Sequence, residues 1–155
     1  MRKILFRGKR IDNGEWIEGS LIIYPNATPS IVLYDEQYFS RDGALPICPI
    51  VPETIGQYTG LVDKNGRKIF EGDILHNINI RRPCIVKYGM FTPQFFYDCA
   101  AKILRIKFDD TKAVGFYCEC LETKEQCFLT DYVLEGWEII CNIHDNSELL
   151  ERGTE

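Results

Sequence analysis

The chain has 155 residues, with 18 Lys and Arg against 23 Asp and Glu and a formal net charge of −5. That length suits one ordinary domain, able to bury roughly 70% of its unfolded surface, and 45% apolar with 26% charged residues describes a globular chain, not a disordered or fibrous one. The acidic balance argues against broad binding to nucleic acid or membrane surfaces, since both need Lys and Arg to meet anionic partners.

Aromatic residues make up 12% of the chain, and recurrent Ile, Val, Tyr and Phe favour strands. No segment carries a long apolar stripe at helical spacing, so a mainly β protein is expected. Lys3 to Leu21 reads as a hairpin: Ile4 and Phe6 alternate with polar neighbours, Asp12-Asn13-Gly14 turns the chain, and Trp16-Ile17 begins the return. Strands follow at Leu21–Tyr24 and Ile31–Phe39, with a loop from Pro25 to Pro29 between them. Pro46, Pro49 and Pro52 make Arg41 to Gly56 a connector rather than a strand. That connector divides a single domain, 1–155, into two subdomains, 1–57 and 58–155.

From Tyr58 to Ile74 the run reads as strand, Asn65-Gly66 turn, second strand, then Glu71-Gly72-Asp73. Asn-Gly between apolar runs predicts a two-residue primed turn, with positive φ at both residues. The turn resembles the one at Asp12-Asn13-Gly14, without enough flanking similarity to make a repeat. Further strands are expected at Cys84–Tyr88, Phe95–Tyr97, Ile103–Phe108 and Val114–Leu121. Leu104, Ile106 and Phe108 alternate with Arg105 and Lys107, and Trp137, Ile139, Cys141 and Ile143 repeat that one-face pattern. Short strands with regular turn signals predict a small barrel or sandwich. A short helix is expected at Asp145 to Leu150, capped by Asn146 and favoured by Glu148 near its positive end.

Ile4-Leu5-Phe6 is far shorter than the ~7–15 apolar residues of a signal sequence, and no stretch reaches the ~18 of a membrane span. A cytoplasmic protein without membrane contact is therefore expected. In that compartment the seven cysteines (Cys48, Cys84, Cys99, Cys118, Cys120, Cys127, Cys141) are not expected to form a disulfide framework.

Four stretches together resemble the YopX family, proteins carried by bacteriophages and by prophages in bacterial genomes. They are Phe6-Arg7-Gly8-Lys9-Arg10 with Gly14-Glu15-Trp16, then Val51-Pro52-Glu53-Thr54-Ile55-Gly56-Gln57-Tyr58-Thr59-Gly60-Leu61, then Asp63-Lys64-Asn65-Gly66 through Ile69-Phe70-Glu71-Gly72-Asp73-Ile74, and finally Trp137 through Leu150. Two departures occur in the last, Cys141 for a usual Gly and Ser147 for a usual Pro. The first implies that this backbone position needs no positive φ here, and Ser is tolerated at a first helical position. The resemblance implies a mostly β fold with a small SH3-like barrel and self-association. It implies no catalytic residue and no cofactor.

Candidate chemistry is sparse. Cys118 and Cys120 share one strand face and with Cys127 are a candidate zinc set, although C-x-C departs from the C-x₂₋₄-C spacing of structural zinc sites. Asp63, Asn65, Glu71 and Asp73 fail as a calcium loop, because counting from Asp63 the glycine falls fourth and position twelve is Ile74. Glu71 and Asp73 instead bound a turn. His76 and His144 lie in no nucleophile motif, and no Gly-rich phosphate loop exists. Arg7, Lys9 and Arg10, with Arg2, Lys3, Phe6 and Trp16 nearby, are the nucleic-acid candidates. Phe91, Phe95, Phe96 and Tyr97 divide between core and interface readings.

The expected function is a non-enzymatic, self-associating module of phage origin that binds a host or phage protein in the bacterial cytoplasm. The alternatives are a nucleic-acid-binding accessory factor using the basic hairpin and a small zinc-dependent protein.

Overall fold

Period-two alternation broken by glycine turns produces thirteen strands among the described residues. The computed structural model describes 4–33, 45–77, 83–99, 102–107, 112–129 and 136–146, without the side chains of 94–99 and 102–107. The chain divides into two compact units, Met1–Gly60 and Leu61–Glu155.

The first unit holds β1 (Phe6–Lys9), β2 (Trp16–Tyr24), β3 (Ala27–Val32), β4 (Ile47–Pro49) and the start of β5 (Gly56–Val62). Their order is β4-β3-β2-β1-β5, and each neighbouring pair is antiparallel. The expected first hairpin is present, closed by Gly14 at φ 73 with its N–H donating to Arg10 O at 3.0 Å. The connector of the sequence reading contains the three-residue strand β4, beside β3 at the sheet edge where proline is tolerated. A 3-10 turn follows at Pro52–Thr54. Ile31, Leu33 and Ile50 form this unit's core, with Ile17, Leu21, Cys48 and Ile55 packed against it.

Glycines set the closest approaches here. A Cβ at Gly8 would lie 2.7 Å from Ile50 Cδ1, and one at Gly19 would lie 2.0 Å from the Val32 carbonyl oxygen. Gly19 is therefore obligatory, because its obstacle is backbone of the neighbouring strand.

The second unit opens with the last residues of β5, which turn into β6 (Lys68–Phe70). It continues with β7 (Asp73–Asn77), β8 (Cys84–Phe91), β9 (Gln94–Cys99), β10 (Lys102–Lys107), β11 (Ala113–Cys120), β12 (Gln126–Phe128) and β13 (Trp137–Asn142). Five of these form a sheet in the order β12-β11-β8-β7-β13, while among the described residues β9 and β10 pair with each other in a two-stranded ribbon. The sheet has apolar residues on both faces. Leu75, Cys84, Val86, Cys118, Cys120 and Trp137 pack with Ile69 on one side, and Ile74, Ile85 and Leu121 pack with Cys141 and Ile143 on the other.

Three expectations are corrected. No closed barrel is found among the described residues, because the sheet ends at β12 and β13 without pairing them to each other. The terminal helix is not found among the described residues. Residues 143–145 form a turn in which Asn142 Oδ1 accepts the N–H groups of His144 at 2.8 Å and Asp145 at 3.0 Å, diverting the backbone from a helical start; Ser147 to Leu150 lie outside the described residues. Finally, a bulge between Ile139 and Cys141 breaks the one-face pattern of the last strand. Ile139 sits opposite Leu75 but Cys141 sits opposite Ile74, so they join different cores.

Replacing Gly19 with Ala should lower stability by about 1–3 kcal/mol or more, because neither strand can yield without losing register. Ala at Gly115, where an added Cβ would meet nothing within 4 Å, should change little. Urea unfolding midpoints at unchanged m-value would check both.

Candidate functional site

The Asn-Gly hairpin differs from the expected primed turn. Gly66 has φ 79, but Asn65 does not adopt positive φ. Asp63 N–H donates to Arg67 O at 2.9 Å and Gly66 N–H to Asp63 O at 2.9 Å, which encloses a three-residue loop with its glycine last. The difference comes from Asp63 itself. Its side chain is fully buried, and Oδ1 accepts the N–H groups of Asn65 and Arg67, both at 2.9 Å. Oδ2 accepts Arg67 Nε at 2.8 Å and the N–H of Ile139 at 3.1 Å. Arg67 Nη2 completes the ion pair at 2.6 Å and donates also to the Ile139 carbonyl.

One carboxylate therefore joins the hairpin to β13. Lys64 N–H donating to Trp137 O at 3.0 Å, and the Lys64–Glu138 ion pair at 2.8 Å, reinforce the same junction. Burial pushes the Asp63 carboxyl up, but the N–H groups of Ile139, Arg67 and Asn65 and the Arg67 guanidinium outweigh it and hold it at about 2.

The Glu71-Gly72-Asp73 turn makes a second junction with the same strand. Gly72 has φ 84, donates its N–H to Val86 O at 2.9 Å and accepts from Ile143 N–H at 3.0 Å. Buried Asp73 accepts Phe70 N–H at 2.8 Å and lies opposite Asn142. These acidic residues have structural work to do.

In the first unit Arg7 and Lys9 share a face of β1, with Lys9 opposite Trp16 and Arg7 opposite Glu18. Arg7 Cζ lies 4.8 Å and Lys9 Nζ 5.4 Å from the Trp16 ring centroid, within cation–π range. Arg10 points elsewhere, held by Asp12 through Nε at 2.9 Å and Nη2 at 2.5 Å. Across this hairpin the three cations Arg7, Lys9 and Arg10 meet three carboxylates, Asp12, Glu15 and Glu18. With Arg2 and Lys3 the segment 1–21 has five cations against three carboxylates, a net charge of only +2, so the electrostatic pull on phosphates is modest.

Of the zinc candidates, Cys118 and Cys120 are buried on one face of β11, and Cys127 is half-buried opposite Cys118. Cys84 lies opposite Cys120. A hydrogen bond with Cys127, together with burial, pushes the Cys118 thiol well up, and the same hydrogen bond brings Cys127 down. No group of three or more His, Cys, Asp or Glu side chains is placed to hold a metal ion among the described residues.

The aromatic candidates separate. Phe91 is buried, stacked on Tyr117 at 4.6 Å and edge-on to Phe128 at 5.0 Å between ring centroids. Phe95, Phe96 and Tyr97 lie in β9, opposite Ile106, Arg105 and Leu104 respectively, and their side chains are outside the described part.

A surface absent from the candidate residues lies on β8 and β11. Val86 faces Cys118 within the core, the next same-face pair is Tyr88 with Phe116, and the one after is Met90 with Val114. The core face thus continues as an uncovered apolar strip. Tyr88 is 53%, Met90 63% and Val114 68% exposed, and the Tyr88 and Phe116 rings meet edge-on at 5.0 Å. Alternation in Val114-Gly115-Phe116 signals a face, but it cannot tell whether anything covers that face.

The family model described as YopX protein matches residues 5–151. The chain belongs to the YopX family. No curated protein matches the sequence.

The YopX segments meet in pairs within each unit. In the first, Lys9 N–H donates to Thr54 Oγ1 at 2.8 Å, Val51 N–H to Lys9 O at 2.8 Å, and Arg7 lies opposite Gly56. In the second, the Asp63 and Gly72 turns are fastened to the terminal strand. Cys141, at the position where the family resemblance implies glycine, does not adopt positive φ. No helix among the described residues is long and apolar enough to cross a membrane.

Asp63→Ala should destabilise the protein by about 1–3 kcal/mol, because the donors it collects lose their acceptor. The wild-type carboxyl is depressed from 3.8 to about 2, so its contribution is complete above the unfolded value and disappears as pH falls through the folded one. At full value this is about 2 kcal/mol, and less with solvent screening at Arg67, whose side chain is 50% exposed. Unfolding curves between pH 7 and pH 2 should therefore converge for wild type and Asp63→Asn at the acid end.

Proposed function

We propose that this YopX protein is a non-enzymatic protein-binding module that self-associates, and that the Tyr88–Met90–Val114–Phe116 strip is the contact surface. The observation that carries this reading is the continuation of a buried strand face into exposed cross-strand apolar pairs. Contiguous exposed apolar surface is costly to leave in water and marks interaction sites when it is not covered. Aromatic and Met side chains are enriched at the centres of such contacts. The polar residues of the family segments support the reading from the other side, since Asp63, Arg67, Asp73, Thr54 and Asn142 are engaged in holding strands together.

The occupant is a second copy of the chain, in keeping with the self-association the family resemblance implies. A phage or host protein competing for the same strip fits the same chemistry. This setting is the bacterial cytoplasm.

A second reading has one observation in its favour, the Trp16 ring with Arg7 and Lys9 beside it. Aromatic and cationic side chains together form a surface for single-stranded nucleic acid, although a net charge of only +2 over residues 1–21 counts against it. Binding of this kind would weaken steeply with salt and vanish in Arg7→Glu with Lys9→Glu.

Sedimentation velocity across a concentration series should show a self-associating wild type. Met90→Glu and Val114→Glu should be monomeric with unfolding free energies within about 0.5 kcal/mol of wild type, since both side chains are already in water. A wild type that stays monomeric throughout, or variants that associate unchanged, would overturn the proposal.

A further inference from the structure

Cys118 and Cys127 face one another directly across antiparallel β11 and β12. Opposed residues in antiparallel strands have Cα atoms about 4.5–5.5 Å apart, inside the roughly 4.4–6.8 Å that a disulfide spans. The backbone already holds the two sulfurs where a bond could form.

Access distinguishes this pair from the other facing cysteines. Cys84 and Cys120 are also opposed, on β8 and β11, but both are buried. Cys118 is buried too, whereas Cys127 is half-buried on a three-residue strand at the edge of the sheet. Among the described residues, only the Cys118–Cys127 pair combines a reachable sulfur with a partner already in place.

We propose that Cys118 and Cys127 are a redox modification site, joined reversibly into a disulfide by hydroperoxides. The Cys127 sulfur attacks a peroxide oxygen, the O–O bond breaks, and an alcohol (water, for hydrogen peroxide) leaves with the thiol proton. The Cys118 sulfur then displaces hydroxyl from the resulting sulfenic acid, which departs as water with the second proton. Two thiols and one hydroperoxide thus give one disulfide, one alcohol and one water; both sulfurs are oxidised and the peroxide oxygens are reduced.

The bond would latch the edge strand. β12 carries Gln126, which accepts Thr92 N–H at 3.1 Å and donates to Glu119 at 3.1 Å, and Phe128, which meets Phe91 edge-on. Thr92 lies two residues before the β9–β10 ribbon, so oxidation would fasten the approach to that ribbon to β11.

Trypsin cuts after Lys124 and so separates Cys118 from Cys127. The full-length reduced protein would be treated with hydrogen peroxide, blocked, digested without reductant and analysed by mass spectrometry. The expected product is a linked peptide pair lighter by two hydrogens, with fragmentation placing the bond at Cys118 and at Cys127, not at Cys141 on the same Glu125–Arg152 peptide, and dithiothreitol should release it. Cys127→Ala should abolish the product. A Cys84–Cys120 link, Cys127 found only as sulfinic acid, or thiols unchanged by peroxide would each overturn the proposal. Localisation by fragmentation in the wild type keeps the test valid if a core variant fails to fold.

Discussion

The second unit is organised around one buried carboxylate. Asp63 gathers backbone N–H groups from its own turn and from a strand 76 residues away. Burying a charge without partners would be costly, and the cost is offset here because Arg67 and three backbone donors converge on the two oxygens. That convergence fixes the hairpin's geometry and places β13 against β7. Once β13 is in place, Trp137 and Ile139 can close one core, and the bulge after Ile139 turns Cys141 into the other.

The same arrangement gives the family's characteristic residues a physical meaning. Gly72 supplies a positive φ between two hydrogen bonds to distant strands, and Thr54 caps the backbone of β1. Residues that read as a chemical signature in one dimension act as fasteners in three. At the far end of β8 and β11, where the core face outlasts the core, Tyr88, Met90 and Val114 face solvent.

The elements most legible in the sequence were those fixed by local chemistry. The Asp12-Asn13-Gly14 hairpin, the strand around Trp16, the Glu71-Gly72-Asp73 turn and the strands at Cys84, Val114 and Trp137 all rest on nearest-neighbour rules of turn residues and alternation. Two misses come from side chains that capture nearby backbone N–H groups, a competition that alternation and turn rules do not weigh. Asn65 left the primed conformation because the Asp63 carboxylate captures its N–H, and the expected terminal helix met an Asn142 side chain that forms a turn instead. The barrel failed because closure requires the two outermost strands to find each other, and no local pattern encodes that.

The candidate surface divides along the same line. Period-two patterning places Val114 and Phe116 on one face of their strand, but only the β8–β11 register sets them beside Met90 and Tyr88. Only the tertiary structure decided that Val86 and Cys118 are covered while Met90 and Val114, on that same face, are open to water. It likewise took Phe91 into the core and neutralised Arg10 with Asp12. The sequence thus determined most of the strands and the places where the chain turns, because these depend on residues within hydrogen-bonding reach along the chain. The tertiary structure decided which faces are buried, because burial depends on what long-range strand pairing brings over them.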